Sequence, residues 1–208
     1  MSVSPELRLD LDAEPEHHLP RNFAVGSKLL ASAVAIFFMA FVFGFLYLRA
    51  LNTAHSFREP HVTPPVGWGV AILACVLVSC VALDAGRRGL GDGTARSWRA
   101  LGLVSWLLGL AAVALQVSEY YNLHFGATDG GLASIFFGFT LWFAVFWLGN
   151  VYWVETLWAH SLRRPSSQEL SIADPARLLR PSADGAITYA YTMAATAVVA
   201  FVLLYIVK

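Results

Sequence analysis

Three carboxylate residues lie within or at the ends of long apolar stretches: Asp84, Glu119 and Glu155. Ionisable side chains in such stretches are candidates for function, because a charge is costly to bury in a membrane. Glu119 follows an apolar run, and Gln116 precedes it by three residues, so the two side chains share one face of a helix. This pair fits either a proton or ion contact or a polar cap that holds the helix against a neighbour, and we favour the cap.

Two other groups of residues beside the apolar stretches have a simple structural interpretation. Asp84 precedes Arg87 and Arg88 by three and four residues, which is the spacing of an ion pair on one helix face. Tyr120 and Tyr121, directly after Glu119, are typical of the aromatic belt at the outer membrane interface. We therefore expect a local ion pair at Asp84 and two interfacial tyrosines.

The histidines argue against a haem or a metal in this chain. A haem in the membrane needs axial ligands, usually histidines, within the spans. None of the six is mid-span: His17, His18, His55, His61, His124 and His160. His61, His124 and Asp129 fall on one predicted side of the membrane, but their spacing matches no metal motif. We expect no cofactor here, and we group Asp129 with Gln116, Glu119 and Tyr120 as candidate polar or interface contacts.

One apolar stretch carries a regular stripe of aromatic residues. Its members recur at intervals of three and four residues, followed by a tryptophan: Phe136, Phe139, Phe143, Phe146 and Trp147. Such a stripe is typical of packing against another helix or against lipid tails. Another stretch, near the C-terminus, is rich in alanine, and small residues let helices approach closely in a membrane. We expect this last helix to be buried against others.

The amino-acid composition is typical of an integral membrane protein. Of 208 residues, 57% are apolar and 13% are charged, about half the charged fraction of a soluble domain. Five uncharged stretches approach the roughly 20 residues that a helix needs to cross a bilayer. They are residues 29–48, 66–83, 100–117, 132–154 and 186–207. The predicted fold is an all-α bundle of five transmembrane helices, residues 26–208, preceded by a polar, acidic tail, residues 1–25.

The basic residues predict the orientation of this bundle. The N-terminal segment and the second and fourth connections hold three, four and four of the 14 lysines and arginines. With five spans these regions share one side, and basic residues concentrate in cytoplasmic segments. We expect the N-terminus in the cytoplasm and the C-terminus outside. The net charge of zero argues against a nucleic-acid partner.

Three short motifs follow one another in the region Leu115–Thr140. They read Gln-x-x-Glu-Tyr, Asp-Gly and Ser-x-Phe-Phe, beginning at Gln116, Asp129 and Ser134. In this order and spacing they resemble subunit III of the haem–copper cytochrome c oxidases. Looser similarity extends over most of the chain from about Gly26, and five spans match the short form of that family, which lacks the first two of seven helices.

The resemblance implies a function without catalysis in this chain. It implies an accessory subunit in a bacterial plasma membrane, packed against a catalytic subunit I that carries haem and copper, and in contact with other oxidase subunits. It also implies bound phospholipid and a part in stabilising the complex. Two alternatives remain: an accessory subunit of another respiratory complex, such as a nitric oxide reductase or quinol oxidase, and a small stand-alone transporter.

The chain departs from the family at its polar interior positions. Ala33 and Val34 stand where the family usually has a Ser-Glu pair, and Phe143 and Phe146 stand where it has histidines. Losing a whole buried polar network costs less than losing one partner of it. We therefore expect the helical scaffold to be retained, while the proton-related role of the missing carboxylate is in doubt.

Overall fold

The computed structural model describes residues 19–51, 57, 59–91, 95–162 and 179–207. The described residues form five α-helices: α1 (Leu19–Ala50), α2 (Val66–Gly91), α3 (Ala95–Tyr121), α4 (Gly131–Leu162) and α5 (Leu179–Phe201). A π-helical turn, Val202–Ile206, continues α5. The described residues include no β-strand. The acidic residues before Leu19 and most of the α4–α5 connection lie outside the described part of the chain.

All five helices are long and apolar enough to cross a membrane. A helix satisfies its own backbone hydrogen bonds, which lipid cannot do, so a chain of this composition forms helices there. The prediction of an all-α, multi-pass membrane protein is confirmed at this level. Which end of the bundle faces the cytoplasm stays a prediction from the basic residues. The bundle has one end at Glu119 and the other at Asp84, the Glu119 end and the Asp84 end.

The helices are longer than the apolar stretches that predicted them. Four predicted spans lie wholly within a helix, and the fifth, residues 186–207, ends one residue beyond the π-helical turn. The additional turns carry polar and charged residues. Backbone hydrogen bonding does not stop where the apolar residues stop, so hydropathy alone underestimates helix length.

Helix α5 occupies the centre of the bundle and packs against α1, α2 and α4. Its inward faces carry small residues, all buried: Ala183, Ala186, Ala190, Ala194 and Ala197. This confirms the expectation that the alanine-rich helix is buried. The approach is close enough for the Cys80 thiol of α2 to donate to the carbonyl of Ala190 over 3.4 Å.

Helices α2, α3 and α4 are joined by hydrogen bonds near the middle of the bundle. The hydroxyl of Ser79 in α2 donates to the carbonyl of Ser105 in α3 over 2.9 Å. The indole Nε1 of Trp147 in α4 donates to the carbonyl of Gly109 in α3 over 3.1 Å. Gly109 permits this approach because a Cβ there would lie 2.7 Å from Cγ2 of Val151.

Part of the aromatic stripe of α4 packs on α1. Phe136, Phe139 and Phe143 are buried. The ring centroid of Phe139 lies 5.1 Å from that of Phe38, and the rings of Phe37 and Phe146 are 5.3 Å apart. Aromatic pairs at these separations add to the stabilisation from burial alone. The stripe therefore faces a helix of this same chain over part of its length.

Ion pairs hold the Asp84 end. Arg88 binds the carboxylate of Asp84 over 2.6 Å, as its four-residue spacing predicts. Arg87 contacts Asp84 at 3.4 Å but also binds Asp184 of α5 over 2.6 Å. The local pair predicted from sequence is confirmed, and Arg87 extends it into a link between α2 and α5.

The Gly109 contact generates a prediction about packing between α3 and α4. We expect Gly109→Ala to lower the midpoint of thermal unfolding in detergent, because overpacking costs about 1–3 kcal/mol and the Val151 side chain is stiff. Gly149→Ala in α4 is the matched control, since a Cβ there has no atom within 4 Å. Equal midpoints for the two variants would contradict the close contact.

Candidate functional site

The carboxyl group of Glu119 is completely buried near the end of α3, with 0% of the residue exposed. The amide Nε2 of Gln116, one turn earlier, donates to Oε2 over 2.8 Å. The hydroxyl of Tyr205 donates to the same carboxyl group, 2.8 Å from Oε1 and 2.9 Å from Oε2. We call these three residues the carboxyl cluster. Gln116 and Glu119 share a face, as their spacing predicts, and Tyr205 joins them from the far end of the chain.

The π-helical turn and a glycine bring Tyr205 to this position. The backbone N–H of Val207 bonds to the carbonyl of Val202 over 2.9 Å and closes the widened turn that contains Tyr205. The tyrosine ring lies over Gly69 of α2, where a Cβ would come within 2.8 Å of it. It also meets the ring of Phe136 edge-on, with centroids 5.8 Å apart. Contacts from α2 and α4 therefore direct the hydroxyl towards α3.

No ion pair balances the carboxyl group of Glu119 among the described residues. A buried carboxylate without hydrogen bonds or a counter-charge is strongly disfavoured. Gln116 and Tyr205 supply some of the hydrogen bonds that the buried carboxylate needs. Hydrogen bonds to a charged acceptor are stronger than those between neutral groups. Chemically, the cluster can hold a carboxyl group in one orientation and bind a proton. Mechanically, it ties α3 to the end of α5.

Tyr120 forms a second link at the same end, between α3 and α4. Its hydroxyl lies 2.7 Å from Oγ1 of Thr140, and that oxygen donates in turn to the carbonyl of Phe136 over 2.6 Å. Tyr120 is therefore the donor to Thr140. The sequence predicts both Tyr120 and Tyr121 in an interfacial belt, but only Tyr121 projects outward, with 87% of it exposed. Tyr120 is half-buried instead, because Thr140 offers its hydroxyl a partner inside the bundle.

Asp129 belongs to a separate set of contacts in the loop between α3 and α4. Its Oδ2 accepts a hydrogen bond from the backbone N–H of Gly126 over 2.7 Å and lies 3.5 Å from Nε2 of His61. The Gly126 bond, and secondarily His61, lowers the pKa of the Asp129 carboxyl below its ordinary value of 3.8. Gly130 follows with φ of 106°, a conformation that favours glycine. The Asp-Gly motif thus shapes this loop.

The start of α4 is joined to the α1–α2 connection and to this loop. The N–H of Leu132 donates to the carbonyl of Phe57 over 2.8 Å. The hydroxyl of Ser134 donates to the carbonyl of Ala127 over 2.6 Å. All three motifs in the region Leu115–Thr140 therefore supply contacts between helices or within this loop.

Within the described ranges, no group of three or more histidine, cysteine, aspartate or glutamate residues is close enough to hold a metal ion. His61 contacts Asp129, its one ion-pair partner among the described residues, and His124 is exposed. Cys80 is buried and Cys75 is half-buried, and both are free thiols. The polar contacts described at the Glu119 end join side chains to one another and to backbone groups.

Sequence reasoning identified Gln116, Glu119 and Tyr120 but missed Tyr205 and Thr140. Tyr205 lies 86 residues from Glu119 along the chain, and tyrosine near the end of a span is ordinary. Gly69 carried no separate signal either, since isolated glycines are common in transmembrane helices. Only the tertiary packing brings these residues together.

Comparison with protein-family models gave no match, and comparison with curated proteins gave none either. The residues themselves and the motif resemblance are therefore the basis for assigning a function.

The Tyr205 bond generates a prediction about stability. Tyr205→Phe removes one donor to the buried carboxyl group of Glu119, so we expect the free energy of unfolding to fall by about 1–3 kcal/mol. Tyr152→Phe is the matched control, because Tyr152 is exposed and such a change is within about 0.5 kcal/mol of neutral. Denaturant titration in detergent measures both. If Tyr205→Phe lowers the free energy of unfolding by no more than the control does, the bond between Tyr205 and Glu119 is refuted.

The Asp129 contacts generate a prediction about pH. Because the folded-state pKa of Asp129 is lowered, its contribution to the loop is present above the ordinary value of 3.8 and is lost as the pH falls through the lower folded-state value. The amide resonance of Gly126 should therefore titrate with a midpoint below 3.8. His61→Ala should move that midpoint upward. A midpoint at or above 3.8 in the unaltered chain would contradict the assignment.

Proposed function

We propose that this chain is a non-catalytic accessory subunit, similar to subunit III, of a bacterial respiratory haem–copper terminal oxidase. It packs against the haem-bearing subunit, binds lipid and stabilises the complex. The observation that carries the proposal is that the motif residues form contacts between helices. Gln116, Glu119 and Tyr120, which carry the resemblance, are engaged in contacts that tie α3 to α4 and to the end of α5.

The buried polar side chains of the bundle favour an accessory role over a stand-alone transporter. Ser79, Thr140 and Glu119 each share a hydrogen bond with a side chain of a neighbouring helix. Bonds of this kind hold transmembrane helices together, whereas a transport path needs polar groups that face a passage or a substrate. These three polar groups are committed to one packed arrangement.

The proposed lipid contact has a candidate location between α1 and α5. A groove of about 430 Å³ opens there, lined mainly by apolar side chains that include Phe38, Met39 and Val199. The hydroxyl-bearing residues Tyr191 and Thr192 lie on its α5 side. An acyl chain of a phospholipid is the ligand that suits an apolar groove facing the bilayer. Haem and copper, in this proposal, belong to the partner subunit.

The proposed partner surface is the exposed face of α1. Only 22% of the most apolar stretch of α1 is buried within this chain, against 50% of that of α5. The exposed side chains are large and apolar: Ile36, Met39, Phe43, Leu46 and Tyr47. Packing of such a face against a helix of another subunit gives more van der Waals contact than lipid tails do.

Purification from the native membrane tests the proposal. The tagged chain is extracted in mild detergent, and its absorption spectrum and partner subunits are determined. We expect haem bands and a copper-containing catalytic subunit, and the partners then distinguish a cytochrome c oxidase from a quinol oxidase or a nitric oxide reductase. A colourless chain that emerges alone, under conditions that keep respiratory complexes intact, would refute the proposal.

Two variants, purified in the same way, test whether the exposed face of α1 binds the partner subunit. Ala40→Trp adds bulk to the exposed face of α1 and should reduce the recovery of the haem-bearing subunit. Ala114→Trp makes the same change at an exposed position of α3 and should leave recovery unchanged. Equal recovery with both variants would place the partner on another surface. The amount of haem per tagged chain is the readout.

A further inference from the structure

A small cavity lies beside the carboxyl cluster, between α2, α3, α4 and α5. Its volume is about 30 Å³. Most of its wall is apolar, with contributions from Ile72, Phe143 and Ala197. Three polar residues also line it: Gln116, Thr140 and Tyr205. They come from three different helical segments, so the cavity is the place where their polar groups converge.

The volume of the cavity is sufficient for water. A water molecule needs about 10–15 Å³ of space measured in this way, together with two to four polar partners. An apolar cavity of this size stays dry, whereas one with several hydrogen-bonding groups in its wall does not. Whether this cavity holds water therefore depends on its three polar residues.

Each of these residues retains an oxygen lone pair that the described contacts leave unused. The bond from Gln116 to Glu119 uses the amide nitrogen, and none of the described residues donates to the amide oxygen. The hydroxyl of Thr140 donates to Phe136 and accepts from Tyr120, which leaves one lone pair. The hydroxyl of Tyr205 donates to Glu119 and can still accept.

We propose that this cavity is a binding site for water, with room for one or two molecules that hydrogen-bond to Gln116, Thr140 and Tyr205. The water joins two sets of contacts that are otherwise separate. One is the carboxyl cluster, and the other runs from Tyr120 through Thr140 to the carbonyl of Phe136. The result is one hydrogen-bonded network that links α3, α4 and the end of α5 around Glu119.

Radiolytic labelling in oxygen-18 water tests the proposal on the full chain in lipid nanodiscs. Hydroxyl radicals formed from a bound water oxidise the side chains next to it, and mass spectrometry locates the label. Phe143 lines the cavity and is the reporter. Phe45 is buried in α1 and does not line the cavity, so it is the internal control. We expect label at Phe143 well above that at Phe45.

A cavity-filling variant identifies the source of the label. Ala197→Val adds methyl groups at the cavity wall and should abolish the label at Phe143. Ala195→Val, on the exposed side of α5, should leave it unchanged. Two results would overturn the proposal: equal labelling of Phe143 and Phe45 in the unaltered chain, or unchanged labelling of Phe143 in folded Ala197→Val. The first comparison needs no variant and stands if Ala197→Val fails to fold.

Discussion

A carboxyl group that is wholly removed from water must find its hydrogen bonds within the protein, and the Glu119 end of the bundle is built around this requirement. No described basic residue neutralises Glu119, so the donors from Gln116 and Tyr205 are the interactions that make its burial tolerable. For Tyr205 to supply the second donor, the turn that follows α5 must lie beside α3. That turn is π-helical and lies over Gly69, where a side chain would displace the tyrosine.

In the other parts of the bundle, close packing and polar contacts join the helices without a hydrophobic driving force. In the middle, a glycine and several alanines allow backbones to approach closely enough for Trp147 and Cys80 to bond to carbonyl groups. At the Asp84 end, Arg87 bridges two carboxylates on different helices. Specific polar contacts at both ends therefore define one register for α5, which lies between the other helices.

Composition and local spacing were enough to predict the five helices, the Asp84 pair and the shared face of Gln116 and Glu119. Each of these depends on residues within one or two turns of a helix. The positions of Tyr205 and Tyr120 were not predictable in this way. Both tyrosines sit where an interfacial belt is expected, and only the arrangement of neighbouring helices gives their hydroxyls internal partners. Helix α2 extends beyond its predicted span, and its additional turns carry Arg87 and Arg88, which bind Asp84 and, through Arg87, Asp184 of α5.

The contact between Glu119 and Tyr205 is the most direct test of this account. Solid-state NMR in lipid, with labels at the carboxyl carbon of Glu119 and the ring carbon that bears the hydroxyl of Tyr205, measures the dipolar coupling between the two carbons. We expect a measurable coupling, since the hydroxyl lies within 2.9 Å of both carboxyl oxygens. The absence of a measurable coupling would mean that α5 does not return to α3, and the proposed organisation of this end of the bundle would be wrong.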